Sequence, residues 1–228
     1  SRITALSGGP TFSIKTNGNA VTSIGNTAFY ARSSLTSITI PDSVTSIGSS
    51  AFYGCIGLTS ITVVADNHNY ASQDGILYNK AKSQIIHVPQ AITGAVTIPG
   101  SMTSIESRTF SYCRGLMSIT IPDSVMSIGD GAFDYCSGLT SVTIGSGVTS
   151  IGHGAFRYCN SLTSITIPFV GASKDGTRYT YLGYIFGADL YDISSKYIPS
   201  TLKTIVITNA TTICEYAFYG CGSLTSIT

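Results

Sequence analysis

The chain has 228 residues, 43% of them apolar and only 10% charged, and its twelve basic and eleven acidic residues leave a formal net charge of +1. That length suits one ordinary domain or one repeat array, and without any Lys/Arg cluster the composition argues against nucleic acid or an anionic membrane as partner. The apolar runs are a few residues long, far short of the ~20 needed to span a bilayer as a helix, so no membrane insertion is expected within this sequence.

From Val21 onward one phrase recurs every 23 residues. Ile24 and Ile47 are its first two marks, Ile105, Ile128 and Ile151 repeat it in the middle, and Cys113, Cys136 and Cys159 keep the same step. A fixed period of this size is the signature of a solenoid, in which each repeat is one coil that cannot bury its apolar face alone. In residues 35–58, Ile38 and Ile40 alternate with Ser37 and Thr39, the pattern of a strand with one buried face. Pro41-Asp42-Ser43 turns the chain out of that strand, because Pro cannot donate to a ladder. Val44 and Ile47 supply a second short extended segment, closed by Gly48. Ala51, Cys55 and Leu58 then fall at i, i+4 and i+7, which predicts a helical turn or two on the far side of the coil. Stacked about 4.7–4.9 Å apart, such coils turn each apolar position into a ladder of like side chains.

The period breaks twice, giving insertions at about 64–97 and 168–206. Val63 to Ile98 spans 35 residues, one repeat plus 12. Here Asp74-Gly75-Ile76-Leu77-Tyr78 and Gln84-Ile85-Ile86-His87-Val88 flank Asn79–Lys82 and read as a β-hairpin growing from the coil. Ile167 to Ile207 spans 40 residues, one repeat plus 17. Residues 168–200 hold seven of the chain's 23 Phe and Tyr residues, among them Tyr179, Tyr181, Tyr184 and Phe186, accompanied by Lys174 and Arg178. The period resumes at Ile207 and is restated by Phe218, Cys221 and Leu224. The sequence opens at Ser1 without Met or a signal-peptide pattern and stops inside a Ser-Ile-Thr strand. Natural arrays cap such an edge, so a piece of a longer protein is expected: one solenoid over residues 1–228.

The string Leu35-Thr-Ser-Ile-Thr-Ile-Pro-Asp-Ser-Val-Thr-Ser-Ile-Gly-x-x-Ala-Phe-x-x-Cys55 closely resembles the BspA-like leucine-rich repeats of bacterial cell-surface proteins and some protist surface proteins. The resemblance runs from Val21 nearly to the end, with small departures: Arg32 at the Cys position, Thr109 for Ala, Glu106 and Cys214 for Gly, Gly145 for Pro. It implies a right-handed leucine-rich-repeat solenoid, mainly β with short helical turns, and an extracellular role in adhesion or ligand binding.

Chemistry for catalysis is not visible. Five cysteines, Cys55, Cys113, Cys136, Cys159 and Cys221, hold the repeat position, and no closely spaced pair suggests zinc. In-register neighbours lie further apart than the ~3.8 Å between Cβ atoms that a disulfide prefers, so buried, reduced thiols are expected, with Cys214 the exception to watch. His68, His87 and His153 share no motif with a Ser or an acid, and His153 reads as an exposed variant of a tolerant position. No cofactor is implied and no enzyme activity is expected.

Two surfaces remain as candidates for binding an extracellular protein or glycan. The first is the second insertion, where Lys174, Arg178, Tyr179 and Tyr181 are expected on an exposed loop, while Tyr184, Ile185 and Phe186 plug the core. Tyr and Arg dominate interface hot spots. The second is the outward face of the strands, where Ser118, Thr120, Ser141 and Thr143 belong to two hydroxyl ladders, a uniform surface that holds little specificity information. A structural spacer that projects another domain from the cell surface is the alternative reading.

Overall fold

A computed structural model describes residues 11–13 and 20–228. They fall into two compact units, one ending at Ile92 and the other covering Thr93–Thr228. Both are stacks of coils in which a four-residue strand on one leg is followed by a two-residue strand and an arc of turns.

In the first unit, β1 (Thr11–Ser13), β2 (Ser23–Ile24), β3 (Ser37–Ile40), β4 (Ser46–Ile47) and β5 (Ser60–Val63) form two parallel ladders, β1-β3-β5 and β2-β4. The register is one repeat per step: Ser37 faces Ser60, Ile38 faces Ile61 and Thr39 faces Thr62. Ile24, Leu35, Ile38, Val44, Phe52, Cys55, Leu58 and Ile61 are all buried in one cluster. Each buried Ile or Leu contributes about 1.5–3 kcal/mol, and along the strands its in-register neighbour is the equivalent residue one coil away. The first break in the period is an antiparallel sheet of β6 (Tyr70–Gln73), β7 (Ile76–Asn79) and β8 (Ile85–His87), in order. The expected hairpin is β7–β8. Strand β6 is an addition, joined to β7 by Asp74 and Gly75 at φ 50° and 78°, the left-handed pair that a tight two-residue hairpin turn requires.

The second unit carries the longest sheet. It consists of β9 (Thr93–Thr97), β11 (Gly115–Ile121), β13 (Ser141–Ile144), β15 (Ser164–Ile167), β16 (Thr204–Ile207) and β17 (Ser226–Ile227), all parallel, with β10 (Ser104–Ile105), β12 (Ser127–Ile128) and β14 (Ser150–Ile151) forming a second ladder. Ile119, Val142, Ile165 and Ile205 run inward in register and are buried. Between β15 and β16 lie two 3-10 helices, η1 (Leu182–Phe186) and η2 (Tyr191–Lys196).

The arcs are not helical. Each is a chain of reverse turns closed by i→i−3 bonds, as in Tyr30 N to Thr27 O at 2.9 Å and Cys136 N to Phe133 O at 3.2 Å. Residues four apart take positive φ: Thr27 and Ala31, Ser50 and Gly54, Arg108 and Tyr112, Gly131 and Tyr135, Gly154 and Tyr158. A left-handed residue at every fourth position breaks an α-helix yet preserves the inward spacing of Ala, Cys and Leu. A non-Gly residue held there costs about 1–3 kcal/mol, offset by bonds between coils such as Phe133 N to Ala155 O at 2.7 Å.

Polar side chains tie the coils together one period at a time. Thr59, Thr140 and Thr163 donate their hydroxyls to the carbonyls of Thr36, Met117 and Thr140 at 2.8–3.0 Å. Asn26 and Asp130 accept the backbone N–H of Ser49 and His153. The cysteine thiols donate in the same way, Cys55 to Phe29 O and Cys136 to Phe110 O, both at 3.0 Å. All six cysteines are unbridged, and Cys214, the one off the repeat position, is exposed.

Candidate functional site

The insertion between β15 and β16 leaves the coil after Val170 and folds onto the arc side of the second unit. Leu182, Ile185 and Phe186 of η1 are fully buried. Gly187, at φ 102°, ends the helix by donating its N–H to Tyr184 O at 3.0 Å. Gly183 packs directly on Ser194 of η2, so the two helices are held together. This packed plug presents aromatic rings to solvent. Tyr179, at φ 57°, is 43% exposed, its ring stacked on Tyr184 with centroids 4.8 Å apart and the Arg178 guanidinium 5.7 Å above it.

Tyr181 departs from the expectation of an exposed loop residue. It is only 7% exposed, and its phenol donates to Ala188 O at 3.2 Å. Burial, with Asp189 adding to it, pushes the phenol up to about 12. The N–H of Lys174 donates to Thr149 O at 3.1 Å while the residue is exposed. Tyr184 is half-buried rather than fully in the core, since its ring bridges Tyr179, His153 and the edge of Tyr181. His153 is likewise half-buried, its Nε2 3.3 Å from Asp189.

The aromatic face extends beyond the residues the sequence singled out. Tyr191 of η2 stacks on Tyr216 of the last coil at 4.1 Å and 12°, and Tyr219 meets it edge-on at 5.5 Å. These three are 37%, 45% and 49% exposed. Tyr181 links them to Tyr179 and Tyr184, with its ring 6.5 Å from Tyr191 and 6.4 Å from Tyr184. Tyr219 sits at the repeat position of Tyr30 and Tyr53, a recurrence that was available from the sequence. A second aromatic row lies on the regular arcs: Tyr112, Tyr135 and Tyr158 stack at 4.7 and 4.3 Å, with Arg114 over the first ring and Arg157 over the last. Arg157 also forks onto the buried Asp134 through Nε and Nη2 at 3.1 and 2.9 Å.

The hydroxyl ladders stand on the other leg of the coils. Ser118 faces Ser141, which faces Ser164, and Thr120, Thr143 and Thr166 run beside them. Thr120 and Thr143 are exposed, Ser118 and Ser141 half-buried. The eight candidate residues therefore do not meet in one place: four lie with the insertion and four on the sheet. Among the described residues no three His, Cys, Asp or Glu side chains gather to hold a metal, and no helix is long and apolar enough to cross a membrane.

Stacked parallel coils with in-register Ile and Leu ladders define a leucine-rich-repeat protein. Six copies of the BspA type leucine rich repeat region match residues 11–95, 90–175 and 191–228, and the chain belongs to that family. It is similar to a leucine-rich repeat protein of Eubacterium ventriosum, with 31% identity over 95% of this chain and 54% of the other, at a TM-score of 0.58. A leucine rich cell surface protein of Faecalibacterium prausnitzii is 34% identical over 91% of this chain and 51% of its own, at a TM-score of 0.56. The Pneumococcal vaccine antigen PcpA shares the fold at 20% identity, with a TM-score of 0.53, 85% of this chain and 55% of the other covered. The chain thus spans about half the length of these relatives. Among curated proteins none matches.

Proposed function

We propose that the chain is a non-catalytic interaction module of a bacterial cell surface that engages an extracellular protein or glycan through the tyrosine face of the second unit. The observation that carries this reading is the face formed by Tyr179, stacked on Tyr184 beside Arg178, and by Tyr191, Tyr216 and Tyr219, which pack on one another where the insertion meets the last coil, all four partly exposed. Tyr rings give large contact area at low conformational cost, and their hydroxyls satisfy polar groups at a rim. The relative described as a cell surface protein supports the location.

The test is an array of extracellular-matrix proteins and glycans probed with the chain. Tyr179→Ala combined with Tyr219→Ala should weaken a captured ligand at least about tenfold, roughly 1.4 kcal/mol, with the melting temperature nearly unchanged. Ser141→Ala with Thr143→Ala should leave affinity intact. The reverse pattern would move the site to the hydroxyl ladders. The alternative is a structural spacer, favoured by the uniformity of those ladders, and an array with no captured ligand would sustain it.

A further inference from the structure

An open cleft of about 380 Å³ lies along the second ladder of the Thr93–Thr228 unit, where β10, β12 and β14 run side by side. Its floor is the chain just after each of these strands: Glu106 and Ser107, Gly129 and Asp130, and Gly152. One wall comes from the insertion. The segment after Val170 pairs antiparallel with β14, Ser173 opposite Ser150, so that Ala172 O accepts Ile151 N at 2.8 Å. Ala172 and Tyr184 then stand at the cleft's edge. Regular stacking would have continued the ladder there. The cleft exists because the repeat is broken.

Its carboxylates stand at repeat positions where neighbouring coils carry other residues, while Ser127 and Ser150 hold the regular Ser position. Glu106 stands where the neighbouring coils carry Gly129 and Gly152, and Ser104 Oγ donates to its Oε1 at 2.8 Å. Asp130 accepts His153 N through Oδ1 at 2.8 Å. Burial, with the Asp130 charge adding to it, raises the Tyr184 phenol. Glycine is required at position 152, since a Cβ there would run into the backbone N of Asp130.

We propose that this cleft binds a neutral saccharide unit. Carboxylates already held by internal donors accept further hydrogen bonds from vicinal hydroxyls, the Ser107, Ser127 and Ser150 hydroxyls both donate and accept, and the phenol adds a donor. The size falls in the range of small-molecule sites. No basic residue lines the cleft, which disfavours anions. A cation would use the two carboxylates but leave the row of hydroxyls without a role. The site adjoins the tyrosine face at Tyr184, but its variants leave Tyr179, Tyr184, Tyr191 and Tyr219 in place, so either reading can fail alone.

The experiment is a ¹H–¹⁵N NMR titration of the whole chain with the methyl glycosides of glucose, galactose and mannose, with glucuronate and Nα-acetyl-lysine amide as charged probes. At least one neutral glycoside should give saturable shifts confined to amides of Ser127–Asp130, Ser150–Gly152 and Tyr184, and glucuronate should bind more weakly. Glu106→Gln with Asp130→Asn, which keeps the Oδ1 acceptor, should weaken that binding about tenfold or more, as loss of hydrogen bonds to charged groups would. Ser150→Ala should weaken it less, and both variants should keep the wild-type spectrum elsewhere. The proposal is overturned if no glycoside shifts these amides at about 50 mM, a concentration that would reveal even millimolar affinity. Glucuronate or the lysine probe binding as well as the sugars, or folded variants binding like wild type, would overturn it too.

Discussion

Side by side, the six cysteines show how one residue type takes two fates. Burial raises the thiols of Cys55, Cys113, Cys136, Cys159 and Cys221, to about 12 for Cys113 and about 11 for Cys221. A thiol so raised is almost entirely protonated at neutral pH, and only the thiolate is nucleophilic. Iodoacetamide on the native protein should therefore label Cys214 first, and all six sites should label after unfolding without reductant; a mass short of six adducts would mean a bridge. His87 provides a second handle, because burial against Phe52 lowers its imidazole to about 4 from 6.5. The unfolded chain takes up a proton as pH falls through 6.5, while the folded chain refuses it until about 4. The sign is thus fixed: the contribution is intact above 6.5, shrinks as pH falls from 6.5 to 4, and shrinks no further below that. The loss should be on the order of 2–3 kcal/mol, and urea melts at pH 7 and 4.5 should show His87→Phe to be less acid-sensitive than wild type.

At the scale of the element, the in/out alternation of a strand should set the cost of substitution. Ile119→Ala removes a buried rung between Val96 and Val142 and should cost about 2–5 kcal/mol, whereas Thr120→Ala on the exposed face should cost within about 1 kcal/mol. Equal losses in urea would mean the strand faces the other way. These strands were legible because a period of two sits inside the period of 23. The spacing in the arcs predicts helix where the structure has turns, for a physical reason: turns with a left-handed residue every fourth position put Ala51, Cys55 and Leu58 on one side just as a helix would. Strand β6 is not legible in the sequence, although Asp74-Gly75 marks a turn, because its Tyr-Ala-Ser-Gln sequence lacks the Ile/Val alternation of its neighbours. Burial of Tyr181 was not legible at all. Next to Gly176 and Thr177 it reads as a loop residue, and only the path of η1 brings Ala188 within reach of its phenol. Tyr216 and Tyr219 join Tyr191 for the same reason, through a contact that depends on where η2 lies.

For the molecule as a whole, a ladder fold makes length modular. Deleting Leu116–Gly138 removes one period and joins Gly115 to Leu139, its repeat equivalent being Leu116. Every apolar position then meets its counterpart two coils on. This variant should remain folded with a cooperative melt, at a reduced melting temperature, because stability in stacked repeats is roughly a sum of nearest-neighbour terms. Deleting Leu116–Ser137 instead leaves one residue too many in the coil, and a one-residue slip turns a strand's buried set outward. Circular dichroism melts should show a broad, weak transition for that second deletion. If both variants melted alike, the register would not be what holds the second unit together.

The stacked Tyr112, Tyr135 and Tyr158 have an optical consequence. The chain contains no Trp and 14 Tyr, so its intrinsic emission comes from phenol rings alone. With ring centres 4.7 and 4.3 Å apart, excitation absorbed by one ring hops to the next faster than it is emitted. Rings held this close also couple their absorption, so the native chain should show a near-ultraviolet circular dichroism band that is lost as the coils separate in denaturant. Without any added dye, the protein carries its own gauge of whether neighbouring coils are in contact.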